Sequence, residues 1–416
     1  MMYKKILSVI FCLILFIGFI GIVISSVESI INKSEKVAEA EQLDISHDEH
    51  AEKTTKSSEF VDKIISYRDS ITKKSNEIFP KNLYIELYGV TELLLGKKYS
   101  SDANPSYDIV KLNNGSLAFK YPEPENLENE INNITKLNNQ LKQRQIDMLY
   151  IQVPLKIDSK NSGMPLGTED HTNETMDEFL GSISQNGVNI FDLRNEIAND
   201  GLNHTSLFFS TDHHWKTESA FWAFGKISEK LNKDFNFKIN KDLYDLNNFN
   251  IEVLPDCFLG SEGKRSGAVY SGLDDLSFIT PKFDTSFNLT IPSDSIEKIG
   301  TFEKVMFEKQ YVTDIDLYNS PVYSVYLGGG APLTIIKNNQ LNERKMLLVK
   351  DSFSCALAPF LALTSSQIDM IDLRSYDEKG LLEYIDETNP DIVMFIYNPS
   401  MYYYSNKDAV FNFGLD

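Results

Sequence analysis

Positive charge is scarce in this chain: 40 Lys and Arg stand against 60 Asp and Glu, a formal net charge of −20. Phosphate backbones are bound by clustered Lys and Arg, and no such cluster is present, so nucleic acid is excluded as a partner. Cysteine is scarcer still. Of the three, Cys12 falls in an apolar N-terminal run, which leaves Cys257 and Cys355 for the body. That excludes a disulfide framework; spacing does not establish a single bridge, and two buried free thiols are the simpler state. No Cys cluster or His-x-x-x-His spacing marks a metal site, no cofactor is expected, and there is no internal repeat. Apolar residues are not lacking: 42% hydrophobic content with 12% aromatics supplies a sizeable core.

The chain opens with Lys4 and Lys5 and then an uncharged apolar run from Ile6 to Val27, long enough to cross a bilayer. Residues 1–30 therefore read as a signal anchor, a single transmembrane helix with its N-terminus cytoplasmic and the bulk of the chain outside. A cleaved signal peptide is the competing reading, against which stand the length of the run and the absence of an Ala-x-Ala site. Residues 31–58 are charged and Ser-rich without aromatics, a flexible stalk that takes His47 and His50 with it. From Phe60 an apolar helical period begins that should stop before Pro80, and residues 59–416 form the folded body.

Within that body, helical periodicity over Leu127, Ile131, Ile134, Leu137 and Leu141 runs into the strand-like "IDMLYIQVP". The last third alternates more plainly: "MLLVK", "SCALAPFLAL", "IDMIDL", "EKGLLEYI" and "DIVMFIY" read as strand, helix, strand, helix, strand. This is the pattern of a parallel α/β sheet, which gathers ligands at the carboxyl ends of its strands. The stretch 235–335, rich in Asn, Asp, Ser and Phe, reads as an irregular insertion.

Two places carry chemistry. In "MLLVKDSFSCALAPFL" a buried strand breaks at Lys350, Asp351 and Ser352 before a helix, where a serine hydroxyl stands at the carboxyl edge and helix-start N–H groups can hold an oxyanion. Ser352 is a candidate nucleophile; a helix cap is the alternative. In "TDHHW", Asp212 and His214 are two apart, and before a helix such alternate side chains can share one side, the carboxylate orienting the imidazole that activates a serine. His213 then points away and Trp215 packs in the core. A metal site built on these acids and imidazoles and a plain helix entry both remain open.

These two motifs together resemble the DHHW family, grouped with SGNH-hydrolase-like acyltransferases related to the alginate O-acetylation proteins. "FLGSEGKRSG", "YLGGGAPLTII", "DLRSY" and "DIVMFIYN" extend the resemblance from about residue 80 to the end. It implies a three-layer α/β, SGNH-hydrolase-like fold with a mostly parallel sheet. In it Asp212 orients, His214 is the base, and Ser352 takes and passes on an acyl group. It further implies transfer of acetyl to hydroxyls of a cell-surface or exported polysaccharide outside the cytoplasm, with a membrane-bound O-acyltransferase as donor partner. Lys350 departs from the family, which often has Gly there. An additional oxyanion donor is expected from Gly260, the Gly328–Gly330 run with Gly329 at its centre, or Asn398; Arg265 and Arg374 are candidates for substrate contact. An acetyl (carbohydrate) esterase with the same triad, and a non-catalytic glycan-binding or scaffold subunit of an export complex, are the alternatives. The aromatic "YNPSMYYY" suits stacking on sugars, and the acidic surface favours a neutral glycan over a strongly anionic one.

Overall fold

The computed structural model describes residues 80–101, 107–122, 126–160, 162–403 and 407–415. The expected anchor (1–30), the stalk (31–58), the helix from Phe60 and part of the "YNPSMYYY" run lie outside the described residues. No described helix is long and apolar enough to cross a membrane.

The chain divides into two compact units, residues 1–97 and 98–416. In the first, the described part is one helix, α1 (Lys81–Leu95), which begins at Pro80 and ends where Gly96 takes a left-handed φ of 67°. Proline stands at the N-cap with ψ 136°, just outside the helix, where its missing N–H costs nothing, and glycine accepts the reversal that lets Lys97 N–H close on the Glu92 carbonyl at 3.0 Å.

The second unit begins with a small antiparallel sheet, β1 (Tyr99–Ser100), β2 (Ile109–Lys111) and β3 (Leu117–Phe119). Its principal sheet has eight strands: β4 (Asp147–Gln152), β5 (Ile190–Asp192), β8 (Phe287–Ile291), β9 (Ile296–Gly300), β10 (Leu333–Asn338), β11 (Lys345–Lys350), β12 (Gln367–Ile371) and β13 (Ile392–Tyr397). They lie in the order β5-β4-β13-β11-β12-β10-β8-β9. The strands β6 (Phe249–Phe258) and β7 (Asp274–Pro281) form a separate antiparallel ribbon.

Pairing is parallel from β5 through β12 and antiparallel from β12 through β9. The sheet is mixed, which corrects the expectation of a mostly parallel one. The physical reason lies in burial. The strands β11, β12 and β13 are covered on both faces; β11 and β13 spell unbroken apolar runs and β12 is interrupted only by the buried Asp369, whereas β8 alternates buried with half-exposed positions and β9 half-exposed with exposed ones, so both look irregular in sequence. The stretch 235–335, read as an irregular insertion, in fact holds the β6–β7 ribbon, both of these antiparallel strands and the start of β10.

The parallel strands send alternate side chains to opposite faces. Met346 and Leu348 join a core with Ala220, Phe224 and Ile227 of α4 (Thr217–Phe235) and the whole of α5 (Ser354–Leu361). Leu347 and Val349 join another with Ile134 and Leu137 of α2 (Glu128–Gln143), Phe179 of α3 (Thr172–Gln185) and Ile385 of α6 (Leu381–Thr388). Helices thus cover both faces of the parallel half, giving three layers. Cys257 and Cys355 are free thiols.

Candidate functional site

At the carboxyl end of β11 the backbone turns through Asp351, Ser352 and Phe353 into α5. Asp351 builds the turn: its Oδ1 accepts the Phe353 N–H at 2.9 Å, and its Oδ2 accepts the Asn398 N–H at 2.5 Å and the Asn398 amide at 2.6 Å. Burial pushes this carboxyl's pKa up, against the opposing pull of Arg374 and the donors from Asn398 and Phe353. Held this way, Ser352 is half-buried. Its own N–H, at the helix start, makes no hydrogen bond to a described residue.

The second part of the site comes from a tight loop closed by a bridge between Phe208 and Trp215. Asp274 fastens this loop, accepting from Ser210 N–H, Thr211 N–H and the Thr211 hydroxyl, each at 2.7 Å. Asp212 then folds back on its own segment: Oδ1 accepts the His214 N–H at 3.0 Å and meets His214 Nδ1 at 2.6 Å. The other carboxylate oxygen accepts the Ser261 N–H at 2.6 Å. The far nitrogen of His214, Nε2, lies 2.7 Å from Ser352 Oγ. Asp212, His214 and Ser352 therefore form one unbroken chain of hydrogen bonds.

His213 takes a different course, with Nδ1 on the Ser261 hydroxyl at 2.9 Å. Trp215 is buried and donates its indole N–H to the Phe353 carbonyl at 3.0 Å. Burial alone would raise the Asp212 carboxyl, but the His213 and His214 imidazoles and the Ser261 N–H outweigh it and hold the group well below the usual range. Burial, then the neighbouring His214, pushes His213 down to about 3, so it stays a neutral imidazole.

Ligand-type atoms of Asp212, His213 and His214 lie within 4.8 Å of one another. Two of these donors are already engaged, by His214 and Ser261, and three fall short of the four ligands of a structural zinc site. The donor set fits a hydrogen-bonded acid and base better than it fits a cation.

The other sequence candidates fall out differently. Gly260 spends its N–H on the Thr211 hydroxyl at 2.8 Å, which corrects the expectation of an oxyanion donor there. Its part is spatial: a Cβ at this position would stand 2.1 Å from the Asp212 Cβ. Gly329 uses its N–H on the Tyr326 carbonyl at 3.0 Å, within a turn at φ 95°. Asn398 directs its N–H and its side-chain amide at Asp351, so it shapes the turn that carries Ser352. In each case a donor that sequence leaves open is satisfied by the fold. Arg374 grips Asp372 through two bonds of 2.8 and 2.6 Å, and the buried Lys350 approaches the same carboxylate at 3.1 Å. Arg265 lies over the Tyr107 ring at 4.3 Å.

Sequence reasoning missed Ser261, Tyr323, Asp274 and a buried pair beneath the loop, Lys156 with Glu262 at 2.7 Å. Burial lifts the Glu262 carboxyl to about 7, with Lys156 opposing. The one signal available for Ser261 was its neighbour Gly260, a mark of close backbone approach; Tyr323 gave none.

The chain matches two family models: the SGNH hydrolase-like domain of acetyltransferase AlgX over residues 117–247, and the DHHW protein family over residues 188–370. No curated protein matches it. Among solved structures it is similar to Bacillus cereus PatB1 with a sulfonyl adduct, at TM-score 0.60 and 21% identity over 73% of this chain and 98% of that one. A DHHW family protein from Eubacterium siraeum is similar at TM-score 0.53 and 17% identity, over 75% of this chain and 96% of that one. Over these parts of its length the chain is thus similar to the DHHW protein family and to the SGNH hydrolase-like domain, and it shares the α/β fold of the two solved structures.

Proposed function

We propose that this chain is a membrane-anchored, extracytoplasmic O-acetyltransferase that moves acetyl groups onto polysaccharide hydroxyls through an acyl-enzyme on Ser352. The observation that carries this reading is the continuous hydrogen-bond chain from Asp212 through His214 to Ser352, with spacings of 2.6 and 2.7 Å. Ser352 Oγ attacks the carbonyl carbon of an acetyl ester or thioester donor while His214 Nε2 takes its proton. A new ester bond forms to Ser352, the donor's bond to its leaving group breaks, and His214 returns the proton to that group. An acceptor hydroxyl then gives its proton to His214 and attacks the acetyl carbonyl, forming the new ester; the bond from the acetyl group to Ser352 Oγ breaks, and His214 passes the proton to that oxygen, restoring the Ser352 hydroxyl. Water in place of the sugar turns the same cycle into ester hydrolysis. The unengaged Ser352 N–H at the start of α5 suits the developing oxyanion. A membrane-bound O-acyltransferase fits the donor's place, since the apolar run Ile6–Val27 would tether the chain beside it.

The full chain in detergent, given a chromogenic acetyl ester with and without a neutral oligosaccharide, tests the proposal. Expected are ester turnover lost in Ser352→Ala and His214→Ala, indifference to chelator, and acetylated oligosaccharide among the products. A sulfonyl fluoride should add once to the chain and not to Ser352→Ala, in keeping with the sulfonyl adduct carried by PatB1. Full turnover in Ser352→Ala, or loss on chelation restored by a divalent metal, would overturn the serine route.

A further inference from the structure

Building on the reading of His214 as the base, we propose that Tyr323 is a positioning residue that fixes the plane of the His214 imidazole and stabilises its protonated form during acyl transfer. Tyr323 stands on a short helical turn, Val322–Val325, and its ring lies face to face on His214, with centroids 3.8 Å apart and planes 14° apart. The hydrogen bonds at Nδ1 and Nε2 define an axis through the imidazole but leave it free to tilt about that axis. A stacked ring removes that freedom. Phe353 and His213 close the rest of the surroundings at 5.0 and 3.9 Å. An aromatic face is the negative side of a quadrupole, so the stack favours the imidazolium that appears when Ser352 loses its proton.

The turn itself is held on both sides. Lys264 donates to the Ser320 carbonyl at 2.9 Å, and Tyr326, packed against Tyr323 at 5.5 Å, donates to the Ser277 carbonyl at 3.0 Å. The Tyr323 hydroxyl is buried without a hydrogen-bond partner among the described residues. The ring, then, carries the role. The other titratable or charged groups around the imidazole are Asp212, the neutral His213, Glu262 and Lys264 acting on Asp212, and Asp351, Cys355 and Arg374 behind the serine. Of these, Asp212 alone contacts the imidazole as an anion.

The test compares Tyr323→Leu and Tyr323→Phe in the full chain, following ester turnover against pH and the His214 ring by nitrogen NMR, assigned with His214→Gln. In Tyr323→Leu, kcat should fall about five- to tenfold with KM little changed. The acid limb of the activity profile and the imidazole titration should move together, by about 0.5 to 1 unit toward lower pH. Tyr323→Phe should behave as the parent chain. A merely structural role would lower activity and leave both titrations in place. An unmoved imidazole titration in Tyr323→Leu, or a Phe variant as impaired as the Leu variant, overturns the proposal. If the parent chain shows no ester turnover, the acyl-transfer reading fails while the NMR titration still reports on the stack.

Discussion

Gly260→Ala is the smallest change expected to disable the site without touching Asp212, His214 or Ser352. Gly260 has an ordinary φ, so the added methyl acts by collision alone: it would stand 2.1 Å from the Asp212 Cβ, 2.5 Å from the Thr211 carbonyl oxygen and 2.6 Å from the Asp212 Cα. Two are backbone atoms and the third is the Cβ fixed directly to them, which leaves no flexible side-chain end to swing aside. Restoring ordinary contact near 3.5 Å requires the two segments to part by about 1 Å. That separation breaks the Ser261 N–H bond to Asp212 at 2.6 Å and the Gly260 N–H bond to Thr211 at 2.8 Å. A hydrogen bond to a charged group is worth about 1.5–3 kcal/mol and a neutral one about 1, so the loss is about 3 kcal/mol, with strain to be added. Misplacing a catalytic group by about 1 Å costs on the order of a hundredfold in rate. Urea unfolding reads the first effect; ester turnover per sulfonyl-titratable serine reads the second. Gly181→Ala is the control: it lies within α3, nothing stands within 4 Å of its added methyl, and it should gain about 0.5–1 kcal/mol. Gly260→Ala with the parent's unfolding midpoint and turnover would refute the claim that this loop presses on Asp212.

Two further perturbations follow from the site's charges. Lys156→Met strands the buried Glu262 carboxylate and should cost about 3–5 kcal/mol, whereas Lys156→Met combined with Glu262→Gln should recover much of it; a double variant as unstable as the single would refute the pairing. Acid should destabilise the chain early. Asp212 is held below its usual value and His213 is pushed down to about 3, so the fold favours the carboxylate and the neutral imidazole. His213 contributes stability that is whole above the unfolded imidazole's range near 6.5 and is lost as pH falls toward 3, at up to about 1.4 kcal/mol per pH unit. Asp212 adds its own loss below about 4. The buried His204, depressed in the same direction, contributes over the same upper range as His213. His213→Gln should flatten the decline between about pH 6.5 and 4 in urea midpoints, and parallel profiles for variant and parent would refute it.

Legibility in the sequence followed the range of the interaction. The five-strand parallel half could be read because doubly covered strands spell continuous apolar runs, as in "MLLVK" and "DIVMFIY". The antiparallel half could not, because β8 and β9 reach the sheet with alternating patterns inside a polar stretch, and sheet membership depends on which partner edge is offered. At the site the same division holds. Asp212 and His214 were readable as a pair because their bonds are local, an aspartate folding back on the residue two ahead. Whether they face Ser352, 138 residues onward, was decided by tertiary packing, which sets the TDHHW loop against the turn after β11.

The oxyanion candidates make the distinction sharpest. Gly260, Gly329 and Asn398 have the residue types that such a role needs, and sequence fixes those types. It does not say which donors the fold has already satisfied. Thr211, Tyr326 and Asp351 take those N–H groups, while the Ser352 N–H is left unengaged among the described residues. A buried donor finds a partner wherever the fold brings one within reach, so availability belongs to the assembled hydrogen-bond inventory and not to any residue alone. Tyr323 is the extreme case. Nothing in its neighbourhood along the chain marks it, and only the tertiary structure lays its ring on His214.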